Sequence, residues 1–225
     1  MIPLTKTLNP NDFALLEPEM RIVDQQFTKA REQHPMRRWE YAMALRARHA
    51  WLQWDYETFG HANRAHGHRI ADVGGAGSPF ELMLKEDAGQ NVTVIDPDGG
   101  MTLEQHLRHR GYLSHEVYCL SVLEHVDDLD EFLYHLDCLV APGGLLFLTV
   151  DCCSGKQSDV VDTYHFHWMR KRIFSELDWR QLGGRLSPWQ ETPRYTCLGQ
   201  QADWTHHGNH VYDYSFASLA LVKRT

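Results

Sequence analysis

The stretch Arg69-Ile70-Ala71-Asp72-Val73-Gly74-Gly75-Ala76-Gly77-Ser78-Pro79-Phe80 decides the fold of this chain. A short apolar run containing one acid breaks into glycines and continues into an apolar segment, Phe80–Leu84, which predicts a strand, a tight turn and a helix. Glycines let a backbone approach a ligand closely, and the N–H groups at the start of the helix favour polar or anionic groups. The stretch therefore indicates a binding turn of the nucleotide type.

The spacing of the glycines separates two classes of ligand. A dinucleotide turn needs G-x-G-x-x-G, but counting from Gly75 puts Phe80 at the sixth position, and counting from Gly74 puts Ala76 at the third and Pro79 at the sixth. A dinucleotide site is thus disfavoured. A structural turn that binds no ligand is the alternative.

A second acid follows at the distance of one helix and one strand. The β-branched run Gln90–Asp96 ends at Asp96, 24 residues after Asp72. A carboxylate accepts hydrogen bonds well, and an acid at this place in nucleotide-binding folds binds the ribose hydroxyls. Asp96 is therefore the candidate ribose ligand, and the alternative is that Asp96–Gly100 is a plain turn.

The next region is short. Thr102–Gln105 has the pattern of a capping box, and Gly111 marks the end of that helix. Only 20 residues separate Asp96 from the strand-like run Val117–Val122, so we expect a shortened or missing third strand.

The later part of the sequence predicts one more helix, one more strand and a hairpin. The helix after Asp128 ends at Ala141–Gly144, and an apolar strand, Leu145–Asp151, follows it. Two strand-like runs, 194–198 and 214–222, fit an antiparallel hairpin near the carboxyl end of the sequence.

These motifs together resemble the class I S-adenosylmethionine-dependent methyltransferases. Asp72–Ser78 is similar to their first motif, although Ala76 and Ser78 stand where the family usually has glycine. Leu123–Val126 resembles the "EHV" segment of the type 11-like, small-molecule group, and the PGG turn before an apolar strand is a second hallmark. The resemblance covers about residues 69–151. It implies a three-layer, Rossmann-like α/β fold, mostly parallel, with an antiparallel hairpin.

The resemblance also implies S-adenosyl-L-methionine as cofactor and assigns residues to it. The turn would hold the methionine part, Asp96 the ribose, and the segment after the fourth strand would lie beneath the transferred methyl group. The implied cofactor-binding residues are Asp72, Gly74, Gly75, Ala76, Gly77, Ser78, Asp96, Pro97, Ser121, Val122 and Leu123.

The acceptor is expected to be a small or sugar-like molecule. The sequence has no [DN]-P-P-[YF] segment and no Pro-Cys nucleophile, and its formal charge of -8 disfavours broad nucleic-acid or anionic-membrane surfaces. A hydroxyl acceptor would need a base, for which His125, His165 and His167 are the candidates. The alternative for His125 is a loop histidine that orders its turn, and the alternative for His165 and His167 is that their aromatic stretch simply packs.

The N-terminal part is predicted to be helical. Residues 1–66 form a helical lid or extension and residues 67–225 the catalytic domain, with the helical region 17–56 divided at Pro35. Apolar residues at a helical spacing from Trp39 to Trp54 indicate one packed face. By the resemblance, Arg37–Tyr41 would lie over the cofactor site, and simple packing is the alternative.

Other features limit the remaining classes. The five cysteines have no C-x-x-C spacing, and the histidine pairs at 165–167 and 206–210 match no zinc pattern, so no metal is expected. No apolar run reaches roughly 20 residues and no signal peptide is evident, which predicts a cytoplasmic protein, monomeric or homodimeric. A non-catalytic cofactor-binding protein and an NAD(P)-dependent oxidoreductase are the alternative functions.

Overall fold

The computed structural model describes residues 4, 6–8, 11–26, 35–60, 67–88, 91–153, 164–165, 195–197 and 215–223. The strands are β1 (Lys6–Thr7), β2 (Ile70–Val73), β3 (Val92–Ile95), β4 (Ser114–Leu120), β5 (Val140–Cys153), β6 (Tyr164–His165), β7 (Tyr195–Cys197) and β8 (Ser215–Lys223). The helices are α1 (Asp12–Leu15), α2 (Glu17–Gln26), α3 (Pro35–Phe59), α4 (Pro79–Ala88), α5 (Leu103–Arg110) and α6 (Leu129–Leu139), with one 3-10 turn at Leu123–His125.

The strands form one sheet in the order β1-β8-β5-β4-β2-β3, with β6 beside β5 and β7 beside β8. Strands β3, β2, β4 and β5 are parallel to one another, whereas β8 is antiparallel to both β5 and β7. Strand β7 lies inside the predicted run 194–198, and β8 lies within one residue of the predicted run 214–222. The mostly parallel sheet with its antiparallel hairpin is confirmed.

The third-strand region is short, as predicted. Residues 91–153 are described without a gap, and α5 is the one helix or strand between β3 and β4 in that range. The Thr102 side chain accepts from Gln105 N, the Gln105 side chain accepts from Thr102 N, and Gly111 closes the helix with φ +56°. Strand β3 is therefore an edge of the described sheet.

Helices cover both faces of the sheet. Alternate strand residues point to opposite faces, so one set packs with α3 and α4 and the other set with α5 and α6. The first set includes Ile70, Tyr118, Phe147 and Ala220, and the second includes Ala71, Val117, Leu146 and Leu219. The predicted three-layer α/β architecture is confirmed.

Helix α3 begins where the sequence predicts a division of the N-terminal helical region, and it differs from its prediction in its buried surface. It begins at Pro35, which stands in the first turn, where a proline loses no helical hydrogen bond. Its buried surface is wider than the predicted stripe, because residues 39–45 are buried all around the helix. Helix α2 packs on one side of α3, and strands β5 and β8 pack on another.

The structure describes only part of the chain, so it bears on only some of the remaining sequence predictions. No helix among the described residues is long and apolar enough to cross a membrane. The histidine-containing run 206–210 and, apart from the backbone of His165, the run 165–167 lie outside the described residues.

Candidate functional site

Two adjoining cavities lie at the carboxyl ends of the parallel strands. They have volumes of about 440 and 640 Å³, and both are lined by Val73, Gly74 and Ser121. Open α/β sheets bind ligands at this edge, where the carboxyl ends of parallel strands meet. We call them the turn cavity, the smaller one beside Gly74–Ser78, and the acid cavity, the larger one beside Asp96.

The glycine turn packs against side chains that leave no room for a Cβ atom. A Cβ on Gly75 would lie 2.0 Å from Asp72 Oδ2, and one on Gly74 would lie 2.3 Å from Val122 Cγ2. Gly74 also has φ +79°, which other residues rarely adopt. Glycine at these two positions lets the backbone cross the end of β2 directly over Asp72.

Asp72 is a buried carboxyl group on the wall of the turn cavity. Its exposed fraction is 2%, and its Oδ2 atom has no hydrogen-bond partner among the described residues. Burial and, to a smaller extent, the negative charges of Glu81 and Asp96 together raise the pKa of Asp72 to about 7, against the opposing charge of Lys85. A cation in the turn cavity would complete this group.

The amides of the turn are used within the protein. Four N–H groups donate at 2.6–3.1 Å, from Gly74 to Ile95 O, from Ala76 to Asp96 Oδ2, from Gly77 to Glu81 Oε2 and from Ser78 to Gly75 O. Ser78 Oγ accepts from Glu81 N at 2.9 Å, so the start of α4 is capped by Ser78. Two of these amides therefore bind anionic groups of the protein itself, the carboxylates of Asp96 and Glu81.

Asp96 lines the acid cavity at the end of β3. Its Oδ1 accepts from Asp98 N at 2.8 Å and its Oδ2 accepts from Ala76 N at 3.1 Å, so the carboxylate orientation is fixed from two sides. Each carboxylate oxygen has more than one acceptor site, so further hydroxyl donors fit. Val122 and Phe132 give this cavity apolar walls.

Ser121 stands between the two cavities in a rare backbone conformation. Its φ is +48°, the one positive value recorded for a described residue other than glycine. Ser121 N donates to Thr149 Oγ1 at 3.0 Å, and Ser121 Oγ donates to Glu40 Oε1 at 2.5 Å. Strained residues of this kind are common at functional sites, where surrounding contacts hold them.

Helix α3 contributes the roof of the turn cavity. Arg37 and Tyr41 line it, as the sequence predicts for Arg37–Tyr41, and the Tyr41 ring stacks on Phe80 with centroids 5.7 Å apart. Burial raises the pKa of Tyr41, and the charge of Glu40 raises it further, so its phenol is a neutral group at physiological pH. The roof therefore combines an apolar ring with one guanidinium.

Comparisons with known proteins agree at the level of the fold. No family model and no curated protein matches the chain. A solved structure of the plantazolicin methyltransferase BpumL, bound to a pentazolic desmethylplantazolicin analogue and S-adenosylhomocysteine, matches with TM-score 0.52 and 11% identity over 96% of this chain and 100% of that chain. The chain has the fold of a class I S-adenosylmethionine-dependent methyltransferase.

Other matching structures are less similar. The Haemonchus contortus phosphoethanolamine N-methyltransferase 2 with S-adenosyl-L-methionine matches with TM-score 0.38 and 16% identity over 49% of this chain, which spans 33% of that enzyme. The [4+2]-cyclase SpnF matches with TM-score 0.42 and 13% identity over 81% of this chain and 82% of that chain. With TM-scores below 0.5, these two matches add nothing to the assignment of the fold.

Most of the predicted cofactor residues of this methyltransferase fold line the two cavities. The turn cavity is lined by Asp72, Gly74, Gly75, Ala76, Gly77, Ser78 and Ser121, and the acid cavity by Gly74, Asp96, Pro97, Ser121 and Val122. Leu123 lines neither cavity, because its side chain is fully buried between the sheet and α6. Their roles toward a cofactor stay predictions.

Of the three predicted base residues, the structure describes the side chain of His125 only. His125 lines the acid cavity together with Asp96. His165 lies in β6, whose backbone pairs with β5, but its side chain and the whole of His167 lie outside the described part of the chain. Within that described part, no group of three His, Cys, Asp or Glu residues could hold a metal ion.

Sequence reasoning missed the role of two residues in this methyltransferase fold. Glu40 is completely buried and accepts from Ser121, Thr149 and Arg37, which ties α3 to the ends of β4 and β5. The signal in the sequence was a pair of polar residues in apolar surroundings, Glu40 between Trp39 and Tyr41 and Thr149 between Leu148 and Val150. Buried polar groups need partners, but the sequence alone does not pair them.

Proposed function

We propose that this protein transfers a methyl group from S-adenosyl-L-methionine to a small-molecule acceptor. The observation that carries the proposal is the buried Asp72 carboxyl beneath a glycine turn, whose Oδ2 has no hydrogen-bond partner among the described residues, beside the cavity of Asp96 at the carboxyl ends of β2 and β3. A cationic, ribose-bearing ligand satisfies both acids at once.

The residues of the cleft fit the parts of this cofactor. Asp72 would accept from the α-ammonium group, and Asp96 would accept from the ribose hydroxyls. Val122 and Phe132 would pack against the adenine in the acid cavity. The neighbouring structures of BpumL and of the phosphoethanolamine N-methyltransferase, which contain S-adenosylhomocysteine or S-adenosyl-L-methionine, add support for this choice of cofactor.

The chain would act mainly by positioning. When bound, the cofactor supplies an electrophilic methyl group on a sulfonium. Ser121, held between Glu40 and Thr149, fixes the strand end where the two cavities meet, and Arg37 and Tyr41 reduce the access of water from above. Alignment and exclusion of water can lower the barrier of such a displacement by several kcal/mol.

A hydroxyl acceptor would also need its proton removed. His125 is the base candidate that lines a cavity, and it would accept that proton on a neutral ring nitrogen. The position of His125 beside Asp96 permits a second role, contact with the adenosine. A His125→Gln variant separates the two, because loss of a base lowers kcat and loss of an adenosine contact weakens cofactor binding.

A second candidate function is cofactor binding without turnover. Ala76 and Ser78, which replace the usual glycines, and the shortened third-strand region support it, because both depart from the family pattern. An NAD(P)-dependent oxidoreductase is a weaker alternative, since the glycine spacing opposes it.

Calorimetric titration with S-adenosylmethionine, S-adenosylhomocysteine and NADH tests the cofactor. We expect selective binding of the two adenosyl ligands, weakened at least tenfold (about 1.4 kcal/mol) by Asp96→Ala. Glu57→Ala, an exposed acid on α3 outside both cavities, is the matched control and should bind normally.

The same titration decides between the alternatives. Binding of NADH alone would replace the methyltransferase by the oxidoreductase, and no binding of any ligand would overturn the cofactor assignment. Adenosyl binding, followed by no transfer of labelled methyl to a broad panel of O-, N- and C-acceptors, would favour the non-catalytic candidate.

A further inference from the structure

The amino-acid end of the proposed cofactor carries an ammonium group and a carboxylate group. The glycine turn and its acid suggest a partner for the ammonium group, but they do not suggest one for the carboxylate. Asp72 suits the ammonium, but the four turn amides at Gly74, Ala76, Gly77 and Ser78 already donate within the protein. An N–H group has one proton to donate. With four of the five amides of Gly74–Ser78 occupied, the turn offers the carboxylate at most the N–H of Gly75, and a positively charged donor from outside the turn would bind it more strongly.

Arg37 is the residue with the right charge in the right place. Among the described residues that line the turn cavity, it alone carries a positive charge. Its side chain is 35% exposed, and its Nη1 donates to Glu40 Oε2 at 3.1 Å. A guanidinium presents five donors in a planar fork, so a contact with Glu40 on one side is compatible with a second carboxylate on another.

Glu40 fixes the position of that guanidinium. The Glu40 side chain is 0% exposed, and burial of a carboxylate is costly unless it is paired and hydrogen-bonded. Ser121 and Thr149 donate to its Oε1 from the ends of β4 and β5, and Arg37 donates to its Oε2. Arg37 and Ser121 are thus held by the same carboxylate, on two walls of the turn cavity.

We propose that Arg37 binds the α-carboxylate of the cofactor and that Glu40 is the positioning residue that orients Arg37. The inference rests on the proposed function, and it names the chemical class that the turn cavity recognises. That class is an α-amino acid end, with its ammonium on Asp72 and its carboxylate on Arg37. Charge complementarity at both groups would select intact S-adenosylmethionine over adenosyl ligands that lack the carboxylate.

A ligand series isolates the carboxylate. Binding of S-adenosylhomocysteine is compared with that of S-adenosyl-3-thiopropylamine, which lacks only the α-carboxylate, and of 5′-methylthioadenosine, which lacks the amino-acid end. We expect the wild-type protein to prefer S-adenosylhomocysteine over the amine at least thirtyfold. In Arg37→Met the preference should fall to threefold or less, while the affinity for the amine stays within about twofold.

The matched control is Arg38→Met. Arg38 is the next residue on the same helix, but its guanidinium pairs with Asp24 at 2.9 Å and does not line the turn cavity. Its removal should leave the thirtyfold preference intact. Arg37→Lys should keep part of the preference because it keeps the charge, and Glu40→Gln should reduce it without a change in binding of the amine.

The outcomes are distinct. An unchanged preference in Arg37→Met would overturn the inference, as would an equal loss of affinity for both ligands, which marks a purely structural residue. Failure of the wild-type protein to bind any adenosyl ligand would overturn the proposed function together with the inference. Circular dichroism of each variant verifies that it is folded. If Arg37→Met does not fold, Arg37→Lys still tests the inference.

Discussion

Two buried carboxyl groups lie on neighbouring strands of the sheet, and their surroundings are opposite. Asp72 lies near the carboxyl end of β2, at the proposed ligand edge, and Glu116 lies near the start of β4, where its register partner on β2 is Ile70. In the part of the chain that the structure describes, Asp72 Oδ2 has no hydrogen-bond partner. Glu116 accepts from Arg48 at 2.9 Å, contacts His68 Nε2 at 2.6 Å and accepts from the Tyr118 hydroxyl.

The pKa directions follow from these partners. Burial alone would raise the pKa of both groups. At Glu116, the hydrogen bond with His68 and the charge of Arg48 outweigh burial, so its pKa is lowered. At Asp72, burial and two negative neighbours act together and raise the pKa to about 7.

The comparison separates a structural acid from a candidate ligand-binding acid. Glu116 is completed by the protein itself and fastens α3 to the amino end of β4 through Arg48. Asp72 Oδ2 has no such partner among the described residues. A buried acid without partners, in a cavity, is therefore the better functional signal of the two.

The largest expected effect is on Glu116. Glu116→Ala leaves Arg48 and the Tyr118 hydroxyl without their acceptor, and should lower the free energy of unfolding by about 3–5 kcal/mol, as measured with urea at pH 7. The affinity of the folded protein for S-adenosylhomocysteine should change by less than about twofold. A decrease in the free energy of unfolding of less than about 1 kcal/mol would show that the contacts of Glu116 with Arg48 and Tyr118 do not stabilise the fold.

The second expected effect is a gain in stability on mutation of Asp72. Asp72→Asn should raise the free energy of unfolding of the ligand-free protein at pH 8, by up to about 4 kcal/mol, because the folded-state pKa is about 7 against an ordinary 3.8. A raised carboxyl pKa makes the wild-type protein lose stability as the pH rises from about 4 to 7. The gain from the mutation should thus vanish near pH 3, and an equal gain at both pH values would contradict the assignment.

The third effect concerns ligand binding. A cationic ammonium binds the ionised form of Asp72, so affinity for S-adenosylhomocysteine should rise about tenfold (about 1.4 kcal/mol) per pH unit up to pH 7 and level off above it. Calorimetry in buffers of different ionisation enthalpy should show proton release at pH 6. In Asp72→Asn the pH profile should be flat, and a sloping profile there would assign the titration to another group.

The smallest expected effect is a loss of stability on mutation of Thr149, and it tests whether the hydrogen bonds of Glu40 stabilise the fold as those of Glu116 do. Thr149→Val removes one of the donors to Glu40 and should cost about 1–2 kcal/mol of unfolding free energy, less than Glu116→Ala because Arg37 and Ser121 remain. Urea unfolding measures it. Thr93→Val, on the partly exposed edge strand β3, is a control expected to change stability by less than about 0.5 kcal/mol.

The sequence was sufficient for the parts of the molecule that depend on local pattern. Strand-turn-helix at Arg69–Phe80, the acid after β3 and the short connection to β4 all follow from spacing and glycine placement, and the structure has them. These features need only residues close together in the chain.

The missing parts depend on contacts between distant residues. Glu40 and Thr149 are 109 positions apart, so their pairing is invisible until the sheet brings α3 to the strand ends. The occupied amide of Gly77 depends on how the Glu81 side chain turns back. Leu123 was placed at the site by its motif, but the 3-10 turn directs its side chain into the core.

The position of β8 has a consequence for how the protein is made. It pairs with β5 on one side and with β1 on the other, so Lys6 meets Ser218 roughly 200 residues along the chain. At synthesis rates of roughly 5–20 residues per second, β5 leaves the ribosome on the order of 10 seconds before β8. During that interval an apolar strand has an open edge, which makes a nascent chain that stops before residue 215 a natural client for a chaperone.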